Sequence, residues 1–375
     1  MHVLHSMTFG GAEVLVHDFV QRTAHAATHA VVCLDGMGPL GESLRAGGVR
    51  VEVLGRREGF DPKMIVGLRR RIAEVAPDVV VAHQYTPYSY AAMALATLPR
   101  RPGLVFVEHG RHYPDQRRPK RVVANRAAFL PITQRVIAVC AYIKELLIEN
   151  EGIGAHRIDV VYNGVDPARF DPASTALPDR RETRASWGLD ETHRVITCVA
   201  RFHPVKDHPT LVRAFADCAA RDPRARLVLV GGGDDGVLRA LASERGVAER
   251  VVFTGVRRDI PAVYDASDVF AMSSLSEGTS VTLLESMLAE RPSVVTGVGG
   301  NPEIVDPGRT GWLVGRGDAA ALGDALTEAL GDEDRARAMG KAGRQRVLGR
   351  FTQAQMHTRW LSLFEEASRC ARRGR

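Results

Sequence analysis

The sequence predicts an α/β fold built from two doubly wound domains in tandem. Short apolar segments rich in β-branched residues alternate with longer amphipathic segments along the whole chain, and this pattern occurs twice. Apolar strands that alternate with helices are typical of parallel sheets covered on both faces. The length points the same way, because 375 residues exceed what one ordinary hydrophobic core accommodates.

The predicted strands are short, and the segments between them have helical periodicity. The strands are 3–6, 30–34, 49–54, 79–83, 104–108, 135–139, 159–162, 195–200, 226–231, 251–254, 269–273 and 293–296, with helices such as 210–221 and 236–245 between them. A turn-rich segment at 163–167 and a Pro-rich polar linker at 171–178 mark the join. We therefore assign residues 1–170 to a first domain and 171–350 to a second.

The composition narrows the class of protein. Hydrophobic residues make up 45% and charged residues 25%, as in soluble globular proteins. No apolar stretch approaches the roughly 20 residues of a spanning helix, and the first residues lack a signal-peptide pattern, which predicts a cytoplasmic protein. The cysteines form no C-x-x-C pair, which argues against zinc and redox motifs. They are Cys33, Cys140, Cys198, Cys218 and Cys370.

The net charge of +6 is unevenly spread. From Arg100 to Arg135 there are nine Lys or Arg against Glu108 and Asp115, a local excess of seven (nine minus two). Such a segment suits an anionic membrane surface or an acidic acceptor. Nucleic acid is disfavoured because few aromatic residues are interleaved, and a solvated basic face is the plain alternative.

Two glutamates, Glu277 and Glu285, lie eight positions apart. The turn-permitting Gly278 and the N-cap residues Thr279 and Ser280 predict a loop that enters a helix between them. N–H groups at a helix start attract phosphate, and carboxylates accept hydrogen bonds from vicinal hydroxyls. At about 1.5 Å per residue, the glutamates are up to roughly 12 Å apart, comparable to the reach from a ribose across a diphosphate to a sugar. The plain alternative is two unrelated acidic residues.

Two cations and two glycines precede predicted helices. Arg201 and Lys206 straddle a proline after the strand 195–200, and two cations beside a helix start suit a diphosphate. Gly10 and Gly11 follow the first strand, where a glycine pair lets an anion approach the backbone. Ordinary surface charges and a simple turn are the alternatives.

A glycine-rich segment raises a second function. Gly231, Gly232 and Gly233 follow a strand and, with Gly236, fit G-x-G-x-x-G, the pattern of a dinucleotide-binding turn. A dinucleotide site also needs an acidic residue about 20 positions later at a strand end. The strand there ends at Gly255 without a carboxylate, so an NAD enzyme is disfavoured.

Two histidines at strand ends are further candidate site residues. His109 follows the strand 104–108, and His83 ends the strand 79–83. Histidine there is able to donate a hydrogen bond to a sugar hydroxyl or to transfer a proton. No D-x-D pair ends a strand and no His cluster has metal-ligand spacing. We therefore expect no metal or other cofactor, and a leaving diphosphate would be stabilised by cations and helix dipoles.

These motifs in order resemble glycosyltransferase family 4, the retaining nucleotide-sugar transferases of the GT-B fold, whose two Rossmann-like domains face each other across a cleft. The resemblance covers nearly the whole chain. Its motifs are 10–13, 163–166, Arg201 with Lys206, 231–233, 254–255, 277–287, 299–303 and 311–314. One departure is Glu290, where members often carry Gly before an Arg-Pro-like turn.

The resemblance implies a role for each matched position. Glu277 and the N–H groups of Gly278, Thr279 and Ser280 would hold the donor sugar and distal phosphate, and Glu285 would accept from the ribose hydroxyls. The remaining implied donor contacts are Arg201 and Lys206 for the diphosphate, Gly231 and Gly232 in the glycine loop, Gly10 and Gly11 for closure on the donor, Arg257 for the base through its backbone, and His109 for the sugar near the reacting carbon. The C-terminal helix, 351–370, would return to the first domain.

The resemblance therefore implies a hexosyltransferase that uses a nucleotide diphosphate sugar, with UDP-sugars favoured over GDP-sugars. The acceptor would be a cell-surface glycan, a lipid-linked molecule or a small molecule, met by the first domain, with weaker candidates His83, Arg111, Arg117 and Arg118. The expected partners include an anionic membrane, contacted peripherally, and do not include nucleic acid. The alternatives are a nucleotide-sugar 2-epimerase of the same architecture and a non-catalytic module that binds anionic surfaces.

Overall fold

The computed structural model describes residues 1–8, 10–110, 115–170 and 179–373. The chain divides into two compact units. Unit 1 comprises Met1–Asn163 and Ala354–Arg375, and unit 2 comprises Gly164–Gln353. The linker predicted at 171–178 lies outside the described residues.

Unit 1 is built on a seven-stranded parallel sheet of order β3-β2-β1-β4-β5-β6-β7. Its strands are β1 (His2–Ser6), β2 (Ala30–Gly36), β3 (Arg50–Val53), β4 (Val79–His83), β5 (Gly103–Glu108), β6 (Arg135–Ala138) and β7 (Ile158–Val160). Strand β5 is buried along its whole length, as expected for a central strand covered on both faces.

The helices of unit 1 follow its strands in turn. They are α1 (Gly11–Arg22), α2 (Gly38–Ala46), α3 (Lys63–Val75), α4 (Tyr85–Ala96), α5 (Pro119–Ala124) and α6 (Ala141–Glu151). The last helix, α15 (Gln353–Arg373), also packs here: the buried Trp360 meets Phe19 of α1 edge to face, with ring centroids 5.2 Å apart. The C-terminal segment thus covers the sheet of unit 1.

Unit 2 is built on a six-stranded parallel sheet of order β10-β9-β8-β11-β12-β13. Its strands are β8 (Arg194–Val199), β9 (Ala225–Val230), β10 (Val251–Gly255), β11 (Val269–Met272), β12 (Ser293–Thr296) and β13 (Gly311–Val314). Its helices are α7 (Arg180–Ala185), α8 (His208–Arg221), α9 (Gly236–Glu244), α10 (Ile260–Asp265), α11 (Val281–Leu288), α12 (Asn301–Ile304), α13 (Ala319–Gly331) and α14 (Glu333–Arg350).

The α/β fold class of two Rossmann-like sheets is confirmed, and each predicted strand is present within two residues of its expected ends. The sequence missed β13 as a strand. This strand lies at the edge of the sheet beside β12, and its residues 312–314 are half-buried. Because one side of an edge strand faces no partner, its apolar signal is short and weak.

Strand order reverses once in each sheet. The first strand of each unit has its chain neighbour on one side and a later strand on the other, so the reversal lies between β1 and β4 in unit 1 and between β8 and β11 in unit 2. Ligands of doubly wound folds bind outside the carboxyl ends of the strands at such a reversal. The loops after these strands are therefore where a site is expected.

Candidate active site

Three loops of unit 2 meet at the reversal of its sheet. The loop after β11 donates a backbone hydrogen bond from Leu275 to Val205 O, 2.8 Å away, in the loop after β8. Ser273 Oγ donates to Asp207 O at 2.7 Å in the same loop. Thr296 Oγ1, at the end of β12, donates to Ser274 O at 2.7 Å. These hydrogen bonds fix the loops after β8, β11 and β12 against one another.

An ion pair lies in this cluster of loops. Lys206 Nζ is 2.6 Å from Glu277 Oε1, and Ser274 Oγ donates to the same oxygen at 2.5 Å. The Lys206 side chain is 22% exposed and that of Glu277 is 8% exposed. Both contacts use Oε1, so Oε2 of Glu277 accepts no side-chain hydrogen bond from the described residues. The pair thus leaves one carboxylate oxygen for a ligand hydroxyl.

The backbone of Glu277 is held from the opposite side by the loop after β12. Gly299 has φ of +58°, and a Cβ there would lie 1.9 Å from the carbonyl oxygen of Glu277. Gly300 N donates to that same oxygen at 3.4 Å. Glycine at 299 is therefore required both by the left-handed backbone and by the close approach, and it positions the loop that carries Glu277.

The start of α11 presents backbone donors beside this pair. Ser280 is the N-cap of α11, and its Oγ accepts from Leu283 N. Thr279 and Ser280 are both buried. The N–H groups of Gly278, Ser280 and Val281 donate to no acceptor within the part of the chain that the structure describes. Such a helix start suits an anion such as phosphate.

Glu285 lies within α11 and is nearly buried, at 9% exposure. Its Oε1 is 3.8 Å from Nη1 of Arg169. The neighbouring Tyr264 is buried and its OH donates to Thr282 O at 2.9 Å, and burial raises the pKa of this phenol well above its usual value. Glu277 stands in the loop before the helix and Glu285 within it, as the sequence predicts.

The other predicted cations differ in their surroundings. Arg201 is exposed, and its guanidinium has no hydrogen-bond or ion-pair partner among the described residues. Arg257 is half-buried and its guanidinium forks onto Asp259, with Nε 2.8 Å from Oδ1. The guanidinium of Arg257 lowers the pKa of Asp259 by hydrogen bonding. Arg201 is thus open to an external anion, whereas the charge of Arg257 is matched within the loop.

The glycine loop after β9 has a structural reason for its composition. A Cβ at Gly231 would lie 2.0 Å from Ala200 O, and Gly233 has φ of +125° with a Cβ position 2.8 Å from Phe202 O. Gly232 O accepts from Phe202 N at 2.8 Å. Glycines let this loop pack directly on the backbone that leads from β8 to Lys206.

In unit 1, Gly10 and Gly11 begin α1, with Gly10 as the N-cap. A Cβ at Gly10 would lie 2.3 Å from Oε2 of Glu13, whereas a Cβ at Gly11 would meet nothing within 4 Å. The carboxylate of Glu13 therefore already faces the start of α1, and it opposes an anion there by like-charge repulsion.

His83 and His109 belong to a row of histidines in unit 1. His83 Nδ1 is 2.9 Å from His109 Nε2, and His83 Nε2 is 3.2 Å from His2 Nδ1. Beyond His2, His29 Nδ1 is 3.3 Å from His2 Nε2. Trp360 of α15 contacts the rings of both His83 and His109. Burial lowers the pKa of His109 to about 4 and that of His83 well below its usual value, which keeps both rings neutral.

The basic residues predicted around 100–135 differ in their contacts. Arg121 contacts Glu151 at 3.3 Å and the ring of Tyr85, and Arg135 bonds Glu366 at 2.7 Å, so these arginines hold unit 1 together. Five exposed basic residues of this segment have no ion pair among the described residues: Arg100, Arg117, Arg118, Lys120 and Arg126. Arg111, also predicted on the acceptor side, lies outside the described residues.

Several site residues were missed from the sequence. Ser274 and Thr296 directly follow or end strands of unit 2, so the strand-end rule that singled out Glu277 applies to them as well. His2 and His29 gave no such signal, because both lie at strand starts and reach His83 only through sheet pairing. Arg169 gave none either, since it approaches Glu285 from a distant segment of the chain.

Two kinds of feature are absent from the described residues. Among residues 1–8, 10–110, 115–170 and 179–373, no group of three or more His, Cys, Asp or Glu side chains is arranged to hold a metal ion. Over the same ranges, no helix combines the length and apolarity that crossing a bilayer requires.

Comparison with known proteins divides the chain as its two sheets do. Residues 9–169 match the model of Glycosyltransferase Family 4, and residues 179–346 match that of Glycosyl transferases group 1. The GDP-mannose-dependent alpha-(1-6)-phosphatidylinositol monomannoside mannosyltransferase of Mycobacterium tuberculosis is 32% identical over 361 residues, covering 91% of each chain. The D-inositol 3-phosphate glycosyltransferase of Nocardia farcinica is 37% identical over 216 residues, which span 55% of this chain and only about half (47%) of that relative.

Solved structures share the fold at lower sequence identity. A glycosyltransferase from Rickettsia africae superposes with a TM-score of 0.84 at 20% identity, covering 98% of this chain and 97% of that one. Anabaena Alr3699/HepE, in complex with UDP and glucose, gives a TM-score of 0.80 at 23% identity, covering 96% and 98%. These likenesses establish the GT-B fold.

Proposed function

The chain belongs to glycosyltransferase family 4, and we propose that it transfers a hexose from a nucleotide diphosphate sugar with retention of anomeric configuration and without a metal ion. The observation that carries this proposal is the Lys206–Glu277 pair at the strand reversal of unit 2. It combines a cation for a leaving diphosphate with a carboxylate for sugar hydroxyls. Free N–H groups at the start of α11 lie next to it in the chain.

The diphosphate is bound by three kinds of positive group in this proposal. Lys206 supplies a charge that is already desolvated in part, and the exposed Arg201 supplies a second one. The N–H groups of Gly278 and Ser280 add dipoles aimed at the distal phosphate. Preorganised donors of this kind stabilise the charge that develops as a bond to phosphate breaks, so this set takes the place of a metal ion.

The sugar and ribose are held by carboxylates. Glu277 accepts hydroxyl hydrogen bonds through Oε2 while Lys206 and Ser274 hold Oε1. Glu285 lies further along α11, where Arg169 contacts it, and it accepts hydrogen bonds from the ribose hydroxyls. Because Glu277 Oε1 is already bound by an ammonium and a hydroxyl, its nucleophilicity is reduced, which supports a role in binding rather than covalent catalysis.

The transfer step follows from this assignment. The acceptor hydroxyl oxygen forms a bond to the anomeric carbon on the face that the diphosphate leaves, while the bond from that carbon to the phosphate oxygen breaks. The hydroxyl proton passes to the departing phosphate oxygen, which supports retention without a protein nucleophile. The sugar thus keeps its configuration and a nucleoside diphosphate is released.

We place GDP-mannose first among the donors, ahead of the UDP-sugars that the sequence favoured. The full-length relative of M. tuberculosis is by its name GDP-mannose-dependent and acts on a phosphatidylinositol mannoside. The acceptor class that this suggests is a polyol or glycolipid headgroup, met by unit 1. The exposed Arg117 and Arg118 supply charge for a phosphorylated headgroup or an anionic membrane surface.

The test is calorimetric titration of the full chain with GDP-mannose, UDP-glucose and UDP-N-acetylglucosamine, with and without a chelator. We expect one base to be bound clearly better, no change on chelation, and at least a tenfold weaker affinity in Glu285→Gln. Arg213→Gln, an exposed arginine on α8, is the matched control. A folded chain that binds none of the three donors contradicts the proposal, and conversion of a donor without acceptor favours the epimerase instead. The anomeric configuration of a transfer product, read by NMR, tests retention.

A further inference from the structure

A continuous hydrogen-bonded row runs through unit 1 from α1 to the end of β5. Its members in order are Thr23, His29, His2, His83 and His109. The successive N–O or N–N distances are 2.9, 3.3, 3.2 and 2.9 Å. Each central imidazole uses both ring nitrogens within the row, so the tautomer of each ring decides that of the next.

The hydroxyl of Thr23 decides which atom donates in each hydrogen bond of the row, and this order is called the direction of the row. Its Oγ1 donates to Phe19 O at 2.6 Å, one turn earlier in α1. The same oxygen therefore accepts from His29, which must carry its proton on Nε2. His29 Nδ1 then accepts from His2 Nε2–H, and the same reasoning places the proton of each following ring on Nε2. The row ends with His109 donating from Nε2 to His83.

This direction leaves a lone pair at the end of the row. His109 Nδ1 is shielded from solvent and has no hydrogen-bond partner within the described residues. In the assigned tautomer it carries no proton, so it is an acceptor. The backbone beside it is strained: Gln84, which follows His83, has φ of +70° although it is not glycine, and such strain is found where a geometry is imposed for function.

The opposite direction is a second state of the same atoms. If Thr23 donated to His29 Nε2, every ring would carry its proton on Nδ1, and the Thr23–Phe19 hydrogen bond would be lost. The reversed row has four hydrogen bonds where the first has five. It would also leave His109 Nδ1–H as a donor without an acceptor, in the same cluster as the indole N–H of Trp360, which has none among the described residues either.

We propose that Thr23, His29, His2 and His83 are positioning residues that fix the tautomer of His109, so that its Nδ1 is presented as an acceptor to a hydroxyl-bearing ligand. The row works as a unit, because reversing one ring forces the rest to reverse. The role of this tautomer in sugar transfer rests on the proposed function, because a sugar hydroxyl is the group whose hydrogen bond His109 Nδ1 would accept. The tautomer itself is independent of that function.

The test is NMR of the ¹⁵N-histidine-labelled full chain at pH 7, without ligand, in which long-range ¹H–¹⁵N couplings distinguish the two neutral tautomers. His109→Gln assigns the His109 signal. We expect wild-type His109 to be neutral and protonated on Nε2 alone. In Thr23→Val the two directions have equal numbers of hydrogen bonds, three each, so His109 should show a mixture with a substantial Nδ1–H fraction.

Thr133→Val is the matched control. Thr133 is buried like Thr23, its hydroxyl also donates to the carbonyl four residues earlier, Phe129 O at 2.8 Å, and it contacts Tyr88 OH at 2.9 Å. A merely structural effect of losing a buried hydroxyl would appear in both variants, whereas only Thr23→Val should change the His109 tautomer. A wild-type His109 that carries its proton on Nδ1, or an unchanged tautomer in a folded Thr23→Val, would overturn the proposal. Failure to bind any nucleotide sugar would leave this result unaffected.

Discussion

The two units carry different polar groups near the reversal of their sheets. Unit 1 has neutral histidines that satisfy one another, with His2 and His83 almost fully buried. Unit 2 has the charged pair Lys206–Glu277, whose lysine is partly exposed. Neutral rings tolerate burial because each accepts and donates one hydrogen bond. Charges tolerate it poorly unless they are paired and hydrogen-bonded.

Because of this difference, the stability of unit 1 depends on pH, whereas the charge balance of unit 2 depends on a ligand. Every ring nitrogen of the histidine row is hydrogen-bonded within the described residues except Nδ1 of His109. The stability of the row therefore depends on its rings staying uncharged. In unit 2, Glu277 Oε2 accepts no side-chain hydrogen bond and the nearby Arg201 has no partner among the described residues. The charges of this site are therefore balanced fully only when an anion and a ligand hydroxyl bind.

The largest expected effect is the loss of stability of unit 1 in mild acid. Burial lowers the pKa of its histidines, so the unfolded chain takes up protons below about pH 6.5 while the folded chain does not. The stability is therefore present above pH 6.5 and decreases as the pH falls toward 4. At roughly 1.4 kcal/mol per pH unit, His109, whose pKa is about 4, alone removes about 2 kcal/mol by pH 5. The buried His2 and His83, whose pKa values are also lowered by burial, add to this loss in the same direction.

Hydrogen exchange resolved along the chain measures this effect. Amides of β1, β4 and β5 should lose protection between pH 7 and pH 5, after correction for the intrinsic exchange rate. Unit 2 is the internal control, since His208 is its one buried histidine among the described residues and its pKa is about 4. Equal losses of protection in both units would contradict this prediction.

The next effect concerns a buried charge in unit 2. Arg184 is 1% exposed and donates to Ala266 O at 3.0 Å, to Asp190 O at 3.1 Å and to Asp268 Oδ2 at 2.9 Å. Replacement by methionine removes the donor to the carbonyls of Ala266 and Asp190, whereas Asp268 keeps Arg180 and Val195 N as partners. A buried acceptor left without its donor costs about 1–3 kcal/mol, so the two carbonyls together cost about 2–6 kcal/mol. We expect Arg184→Met to lower the free energy of unfolding of unit 2 by this amount.

The effect is measured by hydrogen exchange in β8 and β11, with β4 and β5 of unit 1 as reference strands. Arg213→Met, on an exposed position of α8, should change stability by less than about 0.5 kcal/mol. If Arg184→Met destabilised both units equally, its role would not be local to unit 2.

The third prediction addresses function in unit 2. Lys206→Met should reduce transfer about 100- to 1,000-fold, because removing one preorganised donor to a developing charge raises a barrier by about 3–4 kcal/mol. The protein should stay folded, since Lys206 is partly exposed and Ser274 still bonds Glu277. Initial rates with the donor that binds in the titration measure the effect. Lys341→Met, an exposed lysine on α14, is the control, and wild-type rates in Lys206→Met would contradict the assignment.

Most strands were predictable because they are short, nearly continuous apolar runs, as in β5 and β11, whereas the half-buried edge strand β13 was missed. The loop that carries Glu277 and the helix start at Ser280 were predictable for a similar reason, since turn and N-cap residues act locally. The contact of Lys206 with Glu277 joins residues far apart in sequence, so only its chemistry was foreseeable. The histidine row was beyond sequence reasoning, because it depends on the register between β1 and β4.

The smallest expected effects concern two of the four non-glycine residues with positive φ among the described residues, one chosen from each unit. Ala76 ends α3 with φ of +48°, and Glu290 has φ of +58°. Relief of this conformation by glycine gains roughly 1–2 kcal/mol and costs roughly 0.5–1 kcal/mol of chain entropy. Ala76→Gly should therefore stabilise unit 1 by about 0.5–1 kcal/mol. Glu290→Gly should gain less in unit 2, because its carboxylate lies 3.9 Å from Arg344 Nε. Denaturant midpoints compare the two, and a larger gain for Glu290→Gly would show that this ion pair contributes nothing.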